Sequence, residues 1–223
     1  MIKENLENIL GKLPSGVQLV AVSKFHPVER LMEAYEAGQR IFGENRPQEL
    51  AAKVPQMPSD VQWHFIGHLQ TNKLKLVLPY VSLVQSVDSF HLLEAISTWA
   101  VANGKVIDVL LELHLGAEKT KHGFTEDEIL SIVSSPCTET GNSVLEPGIR
   151  VRGLMGMATN TEDMAVVERD FERIEVLFNK IKAMGLEGFD QLSIGMSGDW
   201  PLAVKHGATM VRIGTDIFGP REY

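Results

Sequence analysis

The sequence predicts a single α/β barrel of eight parallel strands, and three observations lead to this fold class. Short apolar runs alternate with amphipathic helical segments along all 223 residues. Most of the runs are nearly continuous in Val, Ile and Leu, as in parallel strands that are buried on both faces. Eight runs can be distinguished, the number at which such a sheet closes into a barrel. An open doubly wound sheet has the same alternation, and the number of strands alone does not exclude it.

The elements follow one another in a regular order after a lead-in helix at residues 4–10. Pro27 and Pro47 suit the first turns of the helices after strands one and two. Asp88-Ser89 can cap the helix after strand four, and Thr125 with Glu128 has the spacing of a capping box. The predicted strands are 17–24, 39–45, 61–67, 83–87, 106–115, 151–157, 191–196 and 210–214. The predicted helices begin near residues 27, 47, 71, 89, 125, 161 and 199.

The domain organisation follows from the lack of any long linker or shift in composition. The segment 134–148 is rich in Ser, Thr, Pro and Gly, and we interpret it as a surface loop within the barrel. We therefore expect residues 1–223 to form one domain. This length is ordinary for an undivided α/β barrel.

The composition excludes several classes of partner and site. A formal net charge of -8 argues against nucleic acid or an anionic membrane surface as a partner. Cys137 is the one cysteine, so neither an intramolecular disulfide nor a cysteine metal cluster is expected. No apolar run approaches ~18 residues, and no signal-peptide pattern opens the chain. We expect a cytoplasmic protein, and a monomer because no exposed apolar stripe demands a dimer.

Candidate site residues lie where the strands end, because active sites of such barrels form at the carboxyl ends of the strands. Lys24 ends the first apolar run, where burial of its amine is costly and depresses its pKa. A neutral lysine amine can form a Schiff base, whereas an ordinary lysine would extend into solvent. Position alone leaves both interpretations open. Other polar residues near these ends include His68, Gln70, Asp88 and Lys121.

The last two strand ends resemble phosphate-binding turns. Ser197-Gly198 follows strand seven and Gly214-Thr215 follows strand eight, the positions at which these barrels often bind phosphate. Arg212 lies between Val211 and Ile213 in strand eight, so alternation predicts that its side chain enters the barrel. A buried guanidinium needs an acceptor, either a carboxylate such as Glu112 or the pyridine nitrogen of a cofactor.

Six motifs, in order along essentially the whole chain, resemble one known family. They are AVSK (21–24), FGEN (42–45), WHFIG with LQTNK (63–73), GLMGM (153–157), SIGMS (193–197) and VRIGTDIFG (211–219). On these motifs the chain is identified as a member of the YggS/PROSC-type pyridoxal phosphate homeostasis proteins, which are similar in fold to the N-terminal barrel of alanine racemases.

The resemblance implies a fold-type III barrel with pyridoxal 5'-phosphate (PLP) held as an internal aldimine on Lys24. It places Arg212 near the pyridine nitrogen and Asn45 near the cofactor. The implied phosphate site consists of Ser197, Gly198, Gly214 and Thr215. PLP-dependent apoenzymes are the expected transient recipients of the cofactor.

Three functions are weighed for such a site. A non-catalytic PLP carrier or buffer, with no catalytic residue, is favoured, and weak residual racemase-type chemistry is compatible with it. The alternative is a PLP-dependent amino-acid racemase, which in this fold needs a second base from a further domain. We expect neither that domain nor an evident base among Tyr35, Tyr80 and Tyr223. A Schiff-base aldolase without PLP leaves the phosphate-type turns and Arg212 unexplained.

No metal site is expected from the histidine pattern. His64 and His68 are four residues apart, but they fall on a strand and the following loop rather than on one helical face. The chain contains no His-Glu-x-x-His motif. His122 is either an added ligand in the loop that follows strand five or, more commonly for such a position, an exposed loop residue.

Overall fold

The computed structural model describes residues 1–116, 122–134 and 148–220. Within them, eight parallel strands form a closed barrel in sequence order, in which β1 pairs with both β2 and β8. The predicted (β/α)8 barrel is confirmed, and the closure by β1 and β8 excludes the open doubly wound sheet. The strands are β1 Gln18–Val22, β2 Ile41–Glu44, β3 Gln62–Phe65, β4 Val81–Val87, β5 Ile107–Leu113, β6 Ile149–Gly156, β7 Gln191–Ser193 and β8 Met210–Ile213.

Helices alternate with the strands and cover the outside of the barrel. They are α1 Ile2–Leu10, α2 Val28–Glu36, α3 Pro47–Lys53, α4 Phe90–Ala102, α5 Glu126–Val133, α6 Met164–Ala183, α7 Trp200–Lys205 and α8 Thr215–Phe218. The extra N-terminal helix is thus present as predicted. The segment Thr71–Leu76 is a 3-10 helix rather than an α-helix, and α8 was not predicted. A four-residue helix is too short to show a periodic apolar pattern.

Local capping signals decide where the helices begin. Ser89 caps α4 by accepting the N–H of Leu92, and Thr125 with Glu128 forms the expected capping box of α5. Ser197, in contrast, does not cap α7. Asp199 takes the N-cap position there, and its carboxylate accepts the N–H of Met196 at 2.6 Å.

The core consists of two apolar groups that the barrel wall separates. The larger group packs the helices against the outer faces of the strands. The smaller one fills the barrel interior and consists of Val20, Leu83, Leu110, Met155 and Met210. Because successive side chains alternate between the two faces of a strand, these interior positions also set which polar side chains point inward.

Three residues singled out in the sequence, Lys121, Cys137 and Tyr223, lie outside the described residues. None of the described helices combines the length and hydrophobicity that crossing a bilayer requires.

Candidate functional site

A cavity of about 450 Å³ opens at the carboxyl ends of the barrel strands. All seven predicted site residues line it, although they come from strand ends far apart in the sequence. Their role in binding a cofactor stays a prediction, whereas their assembly around one cavity is observed. These residues are Lys24, Asn45, Ser197, Gly198, Arg212, Gly214 and Thr215.

Lys24 lies two residues beyond the end of β1, between two residues whose backbones are held tightly. Ser23 donates its N–H to the carbonyl of Gly43 at 3.0 Å. Phe25 has a φ of 68°, and it is the one non-glycine residue with positive φ in the described part of the chain. A residue held in this left-handed region costs about 1–3 kcal/mol, so the surrounding contacts must stabilise it.

Those contacts come from a cluster that consists of Ser23, Glu44, Glu49 and Lys53, here called the Lys53 cluster. The Lys53 ammonium donates to the Ser23 carbonyl at 3.0 Å, to Glu44 Oε1 at 2.7 Å and to Glu49 Oε2 at 3.3 Å. The Ser23 hydroxyl donates to Glu44 Oε1 at 2.6 Å, and the N–H of Phe25 donates to Glu49 Oε2 at 2.9 Å. The cluster therefore forms hydrogen bonds with the backbone on both sides of Lys24, at Ser23 and at Phe25.

Electrostatics within the Lys53 cluster depend on burial. The Glu44 side chain is fully buried, and burial raises its pKa although Lys53 and Ser23 oppose the shift. Burial would also raise the pKa of Glu49, but the N–H of Phe25 and the charge of Lys53 outweigh it and lower that pKa. Glu44 Oε2 is buried without a hydrogen-bond partner among the described residues. Lys53 thus contacts both carboxyl groups, and Glu49 has a second cation in Arg46, 3.5 Å from its Oε1.

Arg212 enters the barrel, as strand alternation predicted, and is only 4% exposed. Its guanidinium donates to the carbonyl and hydroxyl of Ser193, at 2.8 and 2.6 Å, and to the carbonyl of Gly156 at 2.9 Å. Burial lowers its pKa to about 10, while the charges of Glu112 and Asp199 act in the opposite direction. Arg212 therefore stays a charged donor at neutral pH. Its guanidinium group is held in place by neutral acceptors.

A chain of hydrogen bonds across the barrel interior supports this orientation of Arg212. The Ser193 hydroxyl donates to Gln85 Oε1 at 2.7 Å, and Gln85 Nε2 lies 2.8 Å from His64 Nδ1. Burial lowers the pKa of His64 to about 4, so the imidazole is neutral at pH 7 and its Nδ1 can accept from the amide. This series of hydrogen bonds thus ends at a neutral acceptor, and it adds no second cation beside Arg212.

The two phosphate-type turns face the same cavity. Gly198 has open space where a Cβ would project, whereas a Cβ on Gly214 would lie 3.2 Å from Cβ of Val22. Gly214 therefore allows the end of β8 to pack closely against β1. Thr215 is exposed and Ser197 half-buried, so both hydroxyls are placed where a bound group can reach them.

Asn45 follows β2, and its side-chain oxygen is buried without a hydrogen-bond partner among the described residues. A buried acceptor left unpaired costs about 1–3 kcal/mol. Since Asn45 also lines the cavity, a ligand donor or a water can satisfy this atom. The neighbouring Gly67 is close-packed, because a Cβ there would lie 2.3 Å from the carbonyl oxygen of Asn45.

Sequence reasoning missed the residues that support the site. Gln85, Ser193 and the Lys53 cluster were not predicted as parts of it. The i, i+4 spacing of Glu49 and Lys53 was the available signal, but such pairs are common on exposed helix faces. Their burial against the segment that carries Lys24 depends on how α3 packs, which the spacing does not show.

The chain is similar to known proteins over nearly its whole length. The family model described as the N-terminal domain of alanine racemase matches residues 1–222. The pyridoxal phosphate homeostasis protein of Vibrio alginolyticus is 36% identical over all of this chain and 98% of its own length. That of Schizosaccharomyces pombe is 39% identical over 92% of this chain and 85% of its own. The structure of PipY from Synechococcus elongatus with PLP bound superposes with a TM-score of 0.84 at 33% identity, covering 98% of this chain and 100% of PipY.

Proposed function

The chain belongs to the alanine racemase N-terminal domain family and, within it, to the pyridoxal phosphate homeostasis proteins. On this premise we propose that it binds PLP on Lys24 and either buffers PLP or delivers it to other proteins. The observation that carries the proposal is the assembly of all seven candidate residues around one cavity. PLP, when bound, supplies an aldehyde that reacts with amines. A carrier that covers this aldehyde protects the cell from unwanted reactions.

The residues present fit PLP in each part of the molecule. Lys24 offers an amine at the cavity, and the unpaired oxygen of Asn45 offers hydrogen-bonding capacity beside it. Arg212 offers a fixed donor that suits an unprotonated pyridine nitrogen, since a guanidinium can only donate. The hydroxyls of Ser197 and Thr215, with the adjacent backbone N–H groups, offer neutral donors to the phosphate. A cavity of about 450 Å³ is of the size that small-molecule sites have.

Replacing Thr215 with Val is expected to weaken PLP affinity by roughly ten- to a hundredfold, because one charge-assisted hydrogen bond to phosphate is worth about 1.5–3 kcal/mol. Absorbance titration with PLP measures the change. Thr98→Val, on the exposed side of α4, is the matched control and should leave the affinity unchanged. Equal affinities for wild type and Thr215→Val would remove Thr215 from the phosphate site.

We propose that the protein is not an enzyme, and two features of the residues support this. Arg212 would keep the pyridine nitrogen unprotonated, which weakens the electron-withdrawing power of the ring. The tyrosines that the structure describes do not line the cavity. Tyr35 donates to Asp60 at 2.7 Å on the outer side of the barrel, and Tyr80 is 44% exposed. Among the described residues, no tyrosine is therefore placed to act as a second base on a bound amino acid.

Racemase activity is therefore expected to be far below 1 s⁻¹, since loss of a general acid typically costs ~10²–10⁴-fold in rate. The PLP-loaded protein is incubated with L-alanine in deuterated water, and chiral chromatography measures inversion. Slow deuterium exchange without inversion fits Lys24 acting on one face. Turnover on the order of 1 s⁻¹ or more would favour the racemase. The absorption spectrum of the loaded protein confirms that PLP was present during the assay.

We propose that residues 1–223 form one domain, because all eight strands close one barrel. The proposed recipients are PLP-dependent apoenzymes, met transiently by a monomer. A single cysteine suits the reducing cytoplasm, where we place the protein.

A further inference from the structure

A second group of side chains lies at the carboxyl-terminal rim of the barrel, beside the PLP cavity. His68 follows β3, Asp88 follows β4, and His122 precedes Phe124, which bridges to β5. One donor atom from each of the three residues lies within 4.8 Å of the others. We propose that His68, Asp88 and His122 bind a divalent transition-metal ion of the Zn²⁺ or Ni²⁺ type. His68 also lines the PLP cavity, so the two sites adjoin, but the three proposed ligands require no cofactor.

The donor set suits such an ion. Imidazole nitrogens with a carboxylate are typical ligands of Zn²⁺ and Ni²⁺, whereas Mg²⁺ and Ca²⁺ prefer oxygen alone. His68 Nδ1 lies 2.8 Å from Asp88 Oδ2. Two ligand atoms with bonds of about 2.1 Å lie about 3.4 Å apart in the tetrahedral geometry that Zn²⁺ prefers, and about 3 Å apart at right angles around a six-coordinate ion. This pair therefore has to separate by about 0.6 Å or less to hold an ion between its two atoms.

The third donor atom, from His122, lies within 4.8 Å of the other two. The His68 and His122 rings are stacked, with centroids 4.3 Å apart and planes at 19°. His122 is exposed, and its ring can turn a nitrogen toward Asp88 with little loss of packing.

The backbones that carry the ligands are anchored. The close approach of Gly67 to Asn45 fixes the residue before His68. Gly123 has a φ of 130°, and a Cβ there would lie 2.8 Å from the N atom of His114. The N–H of His114 donates to the Phe124 carbonyl at 2.9 Å, which holds the next residue. The Asp88 side chain is only 5% exposed. With three protein ligands, the remaining coordination positions of the ion are left to water.

The experiment titrates the tag-free, PLP-loaded full-length protein with Zn²⁺ after chelator treatment, in competition with a chromogenic chelator. One Zn²⁺ per chain is expected, and His122→Ala and Asp88→Asn should each weaken binding by at least about tenfold. His91→Ala, at an exposed histidine on α4, is the matched control and should bind as wild type does. Bound ion should also raise the unfolding temperature of wild type, because it binds only the folded site.

Three outcomes would overturn the proposal: no binding by wild type, equal binding by His122→Ala, or a loss that His91→Ala shares. The same titration on Lys24→Ala protein, dialysed free of PLP, is expected to give the same Zn²⁺ affinity. A failure of the PLP proposal would therefore leave this test intact.

Discussion

Replacing Lys24 with Ala is expected to abolish covalent attachment of PLP. Lys24 lies at the cavity, two residues beyond the end of β1, and a methyl group supplies no amine to react with the aldehyde. The absorption band of the lysine-bound cofactor should disappear. After borohydride reduction and dialysis, mass spectrometry should find PLP on wild type and none on the variant. This is the largest expected effect, a complete loss rather than a weakened affinity.

Two control variants test whether the effect is specific to the Lys24 amine. Lys24→Arg keeps the charge and most of the side-chain volume but should also lose the covalent link. Lys12→Ala, at an exposed lysine in the turn after α1, should leave the link unchanged. Residual weak binding by Lys24→Ala through the phosphate turns is compatible with the assignment. If the amount of PLP adduct found after reduction is undiminished in Lys24→Ala, and also in Lys24→Ala/Lys121→Ala, then another amine carries PLP.

Replacing Lys53 with Met is expected to lower the free energy of unfolding by about 3–5 kcal/mol at neutral pH. The Lys53 side chain is 8% exposed, and its ammonium contacts two carboxyl groups, one of them fully buried. Removal of one partner leaves an uncompensated buried charge, which is the costly case for an ion pair. Urea unfolding measures the change. Lys180→Met, at an exposed position on α6, is the matched control and should fall within about 0.5 kcal/mol of wild type.

The pH dependence distinguishes loss of charge compensation from loss of packing. The pKa of Glu44 is already raised by burial, and Lys53 is the main opposing influence. Without Lys53 this pKa rises further, so the folded state takes up a proton more readily than the unfolded state. The stability deficit of Lys53→Met should therefore shrink as the pH falls from about 8 to 5. Glu44→Gln/Lys53→Met should recover part of the loss, since the amide oxygen can still accept from Ser23.

A deficit below about 1 kcal/mol in Lys53→Met, independent of pH, would contradict the role assigned to the Lys53 cluster. If the role is correct, the variant should also load PLP more weakly than Lys180→Met under conditions where both are folded. The Lys53 cluster forms hydrogen bonds with the backbone of Ser23 and of Phe25. Its loss therefore makes the backbone around Lys24 more mobile.

The sequence by itself determined the fold and predicted seven residues that line one cavity. Alternating apolar runs and helical segments predict a (β/α)8 barrel, because each parallel strand is buried on both faces and needs a crossover helix. In such a barrel the strand ends meet at one rim, so Lys24, Asn45, Arg212 and the two phosphate-type turns could be assigned to one cavity. Strand alternation likewise predicted that Arg212 points inward.

The tertiary structure alone decided which side chains support the site, because contacts between distant segments leave no periodic pattern in the sequence. Glu49 and Lys53 have the spacing of an exposed helix pair, yet the packing of α3 buries them against the segment that carries Lys24. His64 and His68 are close in sequence but separate in space. His64 accepts a hydrogen bond inside the barrel, while His68 joins Asp88 and His122 at the rim. Closure of the barrel brings those strand ends together, and with them the proposed metal site.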